Sequence, residues 1–193
     1  MKKLFIMAAL VTALSACSTA TLININVDGD SFIPANLRSP PPVVVSAGPT
    51  VTNYAIPDGG LSLPLPSLAF LTKIALKLNV GVVSSVAGAI NGTLELFVAP
   101  VNSGNLYEAA NKVPTGALCT ADVTVNGTDP IAVSLNLAAN SPAPCATAFN
   151  RIKSGQFKIG ARVSFAVTAD TTVTITLTNF DVGVSGYPIQ ILQ

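Results

Sequence analysis

The sequence predicts an all-β fold: an antiparallel β-sandwich, Greek-key or immunoglobulin-like, or a small barrel, with about eight to ten strands. Three observations carry this. Apolar and polar residues alternate at period two through most of the chain beyond about residue 42, turn-forming residues recur at roughly 8–12-residue intervals, and helical periodicity is scarce. The composition agrees. Of 193 residues, 50% are hydrophobic and 10% charged, with a mean hydropathy of +0.60, which excludes intrinsic disorder.

The elements follow in order. A strand is expected near residues 50–56. Ile74, Leu76, Leu78, Val80 and Val82 alternate with Ala75, Lys77, Asn79 and Gly81. Ser67 to Leu78 also admits a capped helix, but alternation continuing to Val82 favours a strand. Leu94, Leu96 and Val98 form the next apolar row. Val123 and Val125 precede Asn126-Gly127, and Ile131, Val133, Leu135 and Leu137 follow it. Asn91-Gly92 and Asn126-Gly127 both suit tight hairpin turns, whose central positions need positive φ. Phe157 to Val167 alternates throughout. Val173, Ile175 and Leu177 alternate with threonines, a run of high β propensity, and a separate strand is expected over residues 182–192. Short helical turns are expected at Leu106–Lys112 and Ala146–Lys153. A transmembrane barrel is rejected, because its girdles need aromatics and the chain has three Tyr and no Trp.

The N-terminus carries an address. Lys2 and Lys3 precede an uncharged apolar run from Leu4 to Leu14, and Leu14-Ser15-Ala16-Cys17 follows. The run is shorter than the ~20 residues a membrane-spanning helix needs, so it reads as a signal peptide. Its end resembles the lipobox of bacterial lipoproteins. That resemblance covers residues 1–17 alone and implies cleavage before Cys17, a thioether-linked diacylglycerol on its sulfur, and usually an N-acyl chain such as palmitate. Ser18 follows, where an Asp would in many such proteins favour inner-membrane retention, so outer-membrane delivery is the default. Removal of residues 1–16 takes two lysines with it and leaves 8 basic against 9 acidic residues, a net charge of −1. Eight of the fourteen prolines lie between Pro34 and Pro66. Residues 17–42 accordingly read as a lipid-anchored, Pro-containing tether, and 43–193 as the β-sandwich domain. Thr21 to Val27 alternates, which leaves open a strand docked from within the tether.

With Cys17 assigned to lipid, Cys119 and Cys145 remain as a pair in an exported chain. They are expected to form a disulfide enclosing 25 residues. No CxxC spacing and no His supports a redox or metal role, and no cofactor is implied.

Residues suited to chemistry are few. The chain has no His, and no nucleophile motif or phosphate-cradling glycine loop. Asp28-Gly29-Asp30-Ser31 superficially resembles a calcium loop, but position 39 is Ser where the pattern needs Glu, so an Asp/Gly turn is expected. Glu95 and Glu108 are the only glutamates. Glu95, between Leu94 and Leu96, is expected to be a solvated surface charge. Asn91-Gly-Thr93 and Asn126-Gly-Thr128 match the glycosylation pattern, but their turn role suffices. Arg151, Lys153, Lys158 and Arg162 gather four basic residues within twelve positions without an intervening acid. The functional reading is a patch for an anionic partner. The blander and favoured one is an edge strand guarded against edge-to-edge pairing.

Lys+Arg at 10 against Asp+Glu at 9 argues against a nucleic-acid binder. The expectation is a lipid-anchored cell-envelope protein, at the periplasmic or surface face of the membrane, whose non-catalytic β-domain has a structural or interaction role with an envelope protein or polymer. The alternative is an envelope lipoprotein that binds a small ligand, lipid or polysaccharide.

Overall fold

The computed structural model describes residues 23–28, 30, 33–38, 40–64, 71–113, 119, 123–125 and 130–186. Nine strands are present among them: β1 (Ile23–Asp28), β2 (Val43–Val45), β3 (Gly48–Pro64), β4 (Leu71–Ser84), β5 (Ile90–Pro100), β6 (Val123–Val125), β7 (Pro130–Ala138), β8 (Gln156–Val167) and β9 (Thr171–Gly186). Two helices accompany them, α1 (Ala35–Arg38) and α2 (Ala143–Lys153), with a 3-10 turn at Ala109–Asn111.

The strands form two antiparallel sheets. In the first the order is β1-β9-β4-β7, with β2 also on β9; in the second it is β3-β8-β5-β6. Neither closes into a barrel. The alternation explains the layering, because successive side chains point to opposite faces of a strand. Ile74, Leu76, Leu78, Val80 and Val82 of β4 turn inward, as do Val133, Leu135 and Leu137 of β7. From the other sheet Phe157, Val163 and Phe165 of β8 meet them, with Leu94, Leu96 and Val98 of β5. Each such side chain contributes about 1.5–3 kcal/mol by leaving water.

β9 is one strand where two were expected. Its inward residues are Val173, Ile175 and Leu177, then Phe180, Val182 and Val184. The phase changes at Thr178, where the register with β4 jumps from Asn79↔Asn179 to Val80↔Leu177. A β-bulge inserts the extra residue and returns the apolar row to the core.

The segment read as a tether is partly built into the sandwich. β1 pairs with β9 over six residues, from Ile23↔Gly186 to Asp28↔Asp181, which is the docked-strand alternative for Thr21–Val27. β2 pairs with the other end of β9, from Val43↔Val173 to Val45↔Thr171. Between them Asp30 accepts the Phe180 N–H on Oδ1 at 2.8 Å, and Ile33 is buried in the core. The Asp/Gly turn reading fits its described residues: Asp28 Oδ1 accepts the Asp30 N–H at 2.9 Å. Residues 1–22, including the expected signal peptide and Cys17, lie outside the described residues.

Neither Asn-Gly pair is seen as a hairpin. Asn91-Gly92 sits inside β5, where Gly92 faces Phe165 of β8. A Cβ at Gly92 would collide with the Ser164 carbonyl and come 2.7 Å from Phe165 Cβ. The glycine serves close strand approach rather than a turn. Residues 126–129 lie outside the described residues, and the strands flanking them belong to different sheets.

Helix α2 buries Cys145, Ala148, Phe149 and Ile152, one face at helical spacing. Pro144 suits its first turn, and Gly155, at φ 76°, takes the left-handed position that ends it. Cys145 on this helix is bonded to Cys119, with Cα atoms 5.9 Å apart. The crosslink fastens α2 to the chain preceding β6.

Two outcomes are expected. Replacing Cys119 by Ser should lower the melting temperature by roughly 6–12 °C, for a crosslink contributing ~3 kcal/mol, while the β-type circular dichroism persists. Gly92→Ala should destabilise the fold by about 1–3 kcal/mol in urea unfolding, because β8 must shift to admit the methyl group.

Candidate functional site

Of the basic residues singled out from sequence, Lys158 and Arg162 lie on the outer face of the second sheet, Arg151 reaches its margin from α2, and Lys153 stays on that helix. Part of that face is closed to solvent by a loop, while Asn53, Ser62, Asn91 and Thr93 on the rest of it are exposed. Phe97 and Ala99 point outward from β5, yet both are fully buried beneath the loop that runs from Val101 to Val113. Leu106 fills the gap between loop and sheet, and Tyr107 packs edge-on against Phe97 with ring centroids 5.3 Å apart. Gly160 makes room for both, since a Cβ there would strike the Tyr107 hydroxyl and approach Leu106 Cδ2 at 2.8 Å. The Tyr107 hydroxyl donates to the Pro57 carbonyl at 2.5 Å. Burial, reinforced by the negative charge of Asp58, raises its pKa well above the ordinary phenol value.

Glu95 is the electrostatic centre of this face. Directly across from it on β8, Arg162 donates to Glu95 Oε2 from Nε at 2.9 Å and from Nη2 at 2.6 Å. Lys112 donates to Oε1 at 2.5 Å. The expectation of a solvated surface charge is therefore corrected: the Glu95 side chain is only 16% exposed and holds two cations. Burial alone would raise its pKa, but the hydrogen bonds from Lys112 and Arg162 prevail and hold it below the usual carboxylate range. Arg162 also sits over the Phe97 ring at 4.8 Å and donates to the Tyr107 carbonyl at 3.3 Å.

The other basic residues are similarly engaged. Lys158 donates to the Ser103 carbonyl at 3.2 Å. Arg151 donates to the carbonyls of Val98 at 2.6 Å and Ala110 at 3.4 Å, covering the margin of β5 that short β6 does not reach. Lys153 lies 5.9 Å from the Phe149 ring centroid. Arg151, Lys158 and Arg162 thus fasten the loop to the sheet. The edge-guarding reading is also corrected, because β8 is paired on both sides, by β3 and by β5. Glu108 is exposed on the loop, outside the Glu95 ion pairs.

The first sheet differs. Its outer face has no covering loop among the described residues, and presents Asn24, Asn26, Lys73, Lys77 and Asn136 to solvent. A shallow cleft of about 380 Å³ lies there, lined in part by Asn24, Asn26, Lys73, Asn136 and Ser185. Sequence reading missed it, because it depends on side chains from four strands. Among the described residues no three acidic, His or Cys side chains gather as a metal site, and no helix is long and apolar enough to cross a membrane.

No family model matches the sequence, and no curated protein matches it. Among solved structures it is similar to one of infectious bursal disease virus, Gx strain, with 8% identity over 91% of this chain and a TM-score of 0.43. The chain spans 34% of that protein's length. It is also similar to tobacco necrosis virus, with 9% identity, a TM-score of 0.28, and coverage of 88% of this chain and 97% of that one. At these identities no residue role transfers.

The ion pairs make the loop's attachment pH-dependent. A carboxylate whose pKa is lowered on folding stabilises fully above its unfolded value, near 4.5, and loses that contribution as pH falls through the folded value. Glu95→Gln should cost about 1–3 kcal/mol at pH 7. The stability gap between the variant and the parent should stay constant down to about pH 5.5 and narrow below about pH 4.5. Urea unfolding of both proteins across this range checks it.

Proposed function

We propose that this chain is a lipid-anchored bacterial envelope protein whose β-sandwich is non-catalytic and has a structural or protein-interaction role. The anchor rests on Leu14-Ser15-Ala16-Cys17 after an apolar run too short to span a bilayer. Acylation with two or more chains holds a protein stably, where one chain alone binds marginally. With Ser18 after the cysteine, the outer membrane is the proposed destination.

The observation that carries the interaction role is the contrast between the two outer faces. On the second sheet the loop and its ion pairs engage Glu95, Lys112, Lys158 and Arg162 internally. On the first, amide, hydroxyl and lysine side chains from several strands are left facing water on a charge-poor surface. A surface of that kind supports contact with an envelope protein or polymer without long-range electrostatic steering.

The anchored position also limits reach. β1 begins six residues after Cys17, and six residues span at most about 20 Å. The sandwich is therefore held beside the bilayer rather than at the end of a long stalk.

Expression in a bacterial host supplied with labelled palmitate tests the anchor. The chain should take up label and partition with membranes, and Cys17→Ala should abolish both. A processed N-terminus at another residue, unmodified by intact mass, overturns the reading.

A further inference from the structure

The register of the first sheet places two rows of outward residues side by side. One runs Asn24, Ser185, Lys73, Ala138 across β1, β9, β4 and β7. The next runs Asn26, Gly183, Ala75, Asn136 across the same strands. At ~4.8 Å between strands, each row is about 14 Å long, and the rows lie about 6.6 Å apart. The middle of the second row carries Gly183 and Ala75, which lack bulk, while amides stand at both ends. This arrangement makes the cleft of about 380 Å³.

The side chains around it are chemically uncommitted. Some amides elsewhere in the fold are used internally, as in Asn53 with Ser164, Asn111 with the Asn105 carbonyl, and Asn179 with Asp181, whereas those of Asn91, Asn102, Asn140 and Asn150 stand exposed and scattered, not gathered around a cleft. Those of Asn24, Asn26 and Asn136, and the Lys73 ammonium, make no hydrogen bond to other described residues. Among the described residues no carboxylate lines the cleft, and Lys73 is its one charge. One row further along, Asp28 and Asp181 face each other across β1 and β9, about 13 Å from the Lys73 row, with Lys77 across from Asp181 on β4.

We propose that this cleft binds an acidic oligosaccharide, with a uronate carboxylate on Lys73 and neutral hydroxyls on the flanking amides. Each sugar hydroxyl both donates and accepts, and an Asn side chain supplies both partners. Ala75 lets a ring's C–H face rest near the sheet, the Asn26 amide leans over Gly183 to meet the ring's hydroxyls, and a row of about 14 Å accommodates two to three rings. Asp28 and Asp181 repel an acid at the far end, which fixes the direction in which the chain lies. With no aromatic among the described residues that line the cleft, recognition there rests on hydrogen bonds and one ion pair, and the affinity is modest. The proposal does not depend on acylation of Cys17, so the palmitate experiment and this one fail separately.

Calorimetric titration of the full chain in detergent tests it, at low salt, with tetragalacturonate, maltotetraose and glycerol 1-phosphate as probes. Tetragalacturonate should bind at least about tenfold more tightly than maltotetraose. Lys73→Gln should erase that preference, and Ala75→Leu, which fills the floor, should abolish binding of both sugars. Both substitutions face solvent, so unchanged melting temperatures should show that the fold is intact. Equal binding of the two tetrasaccharides, retention of the preference in Lys73→Gln, or Lys73-dependent binding of glycerol 1-phosphate without tetragalacturonate overturns the proposal.

Discussion

A sixteen-residue strand that forms the spine of a sheet must keep one face apolar along its whole length. In β9 that requirement is met only because the alternation changes phase at Thr178. A one-residue slip without the bulge would turn Phe180, Val182 and Val184 to solvent. The first sheet depends on this correction. β4 follows β9 along one side for its full length, while β1 and β2 share the other side at opposite ends. Asp30 fills the space between them by accepting the Phe180 N–H next to the bulge. The side chain of Arg38 holds this connection in turn, donating to the carbonyls of Asp30 and Ile33.

The rows of β4, β7 and β8 were legible because a strand with one buried face prints its period directly on the sequence. The bulge defeated the same rule. A change of phase between Leu177 and Val182 looks like the end of one strand and the start of another. Gly92 was misread for a different reason: glycine serves both a positive-φ turn and a close backbone approach, and nothing in Asn91-Gly92 distinguishes them. The basic residues stand out in the sequence, but their contacts are not readable from it. Glu95 lies 67 residues from Arg162, and the carbonyls bound by Arg151 and Lys158 lie 53 and 55 residues from their donors. The cleft was hidden similarly, since each strand contributes only a few of its residues.

The two sheets therefore treat polar groups in opposite ways. On the second, a covering loop takes cations out of bulk water, where Glu95 and backbone carbonyls replace their solvent contacts. Removing one partner there leaves others stranded, so those residues are coupled to folding. On the first sheet Asn24, Asn26, Lys73 and Asn136 are exposed, and exchanging solvent for a ligand there costs little structure. Stability is thus tied to the second sheet's covered face, and the recognition proposed for the first sheet falls on a separate one, so residues on one can vary without much effect on the other.

The antiparallel docking of β1 has a mechanical consequence. If the chain is anchored ahead of β1 as proposed, a pull directed along this strand enters the domain at Ile23. Six register pairs with β9 then carry the load together, in shear, rather than parting one after another as a strand peeled sideways would. Beyond them Asp30, bonded to Phe180, and buried Ile33 form a second point of resistance. A domain tethered through this strand would withstand tension along its anchor better than tension across it, and would yield first by losing β1 while the opposite sheet stayed intact.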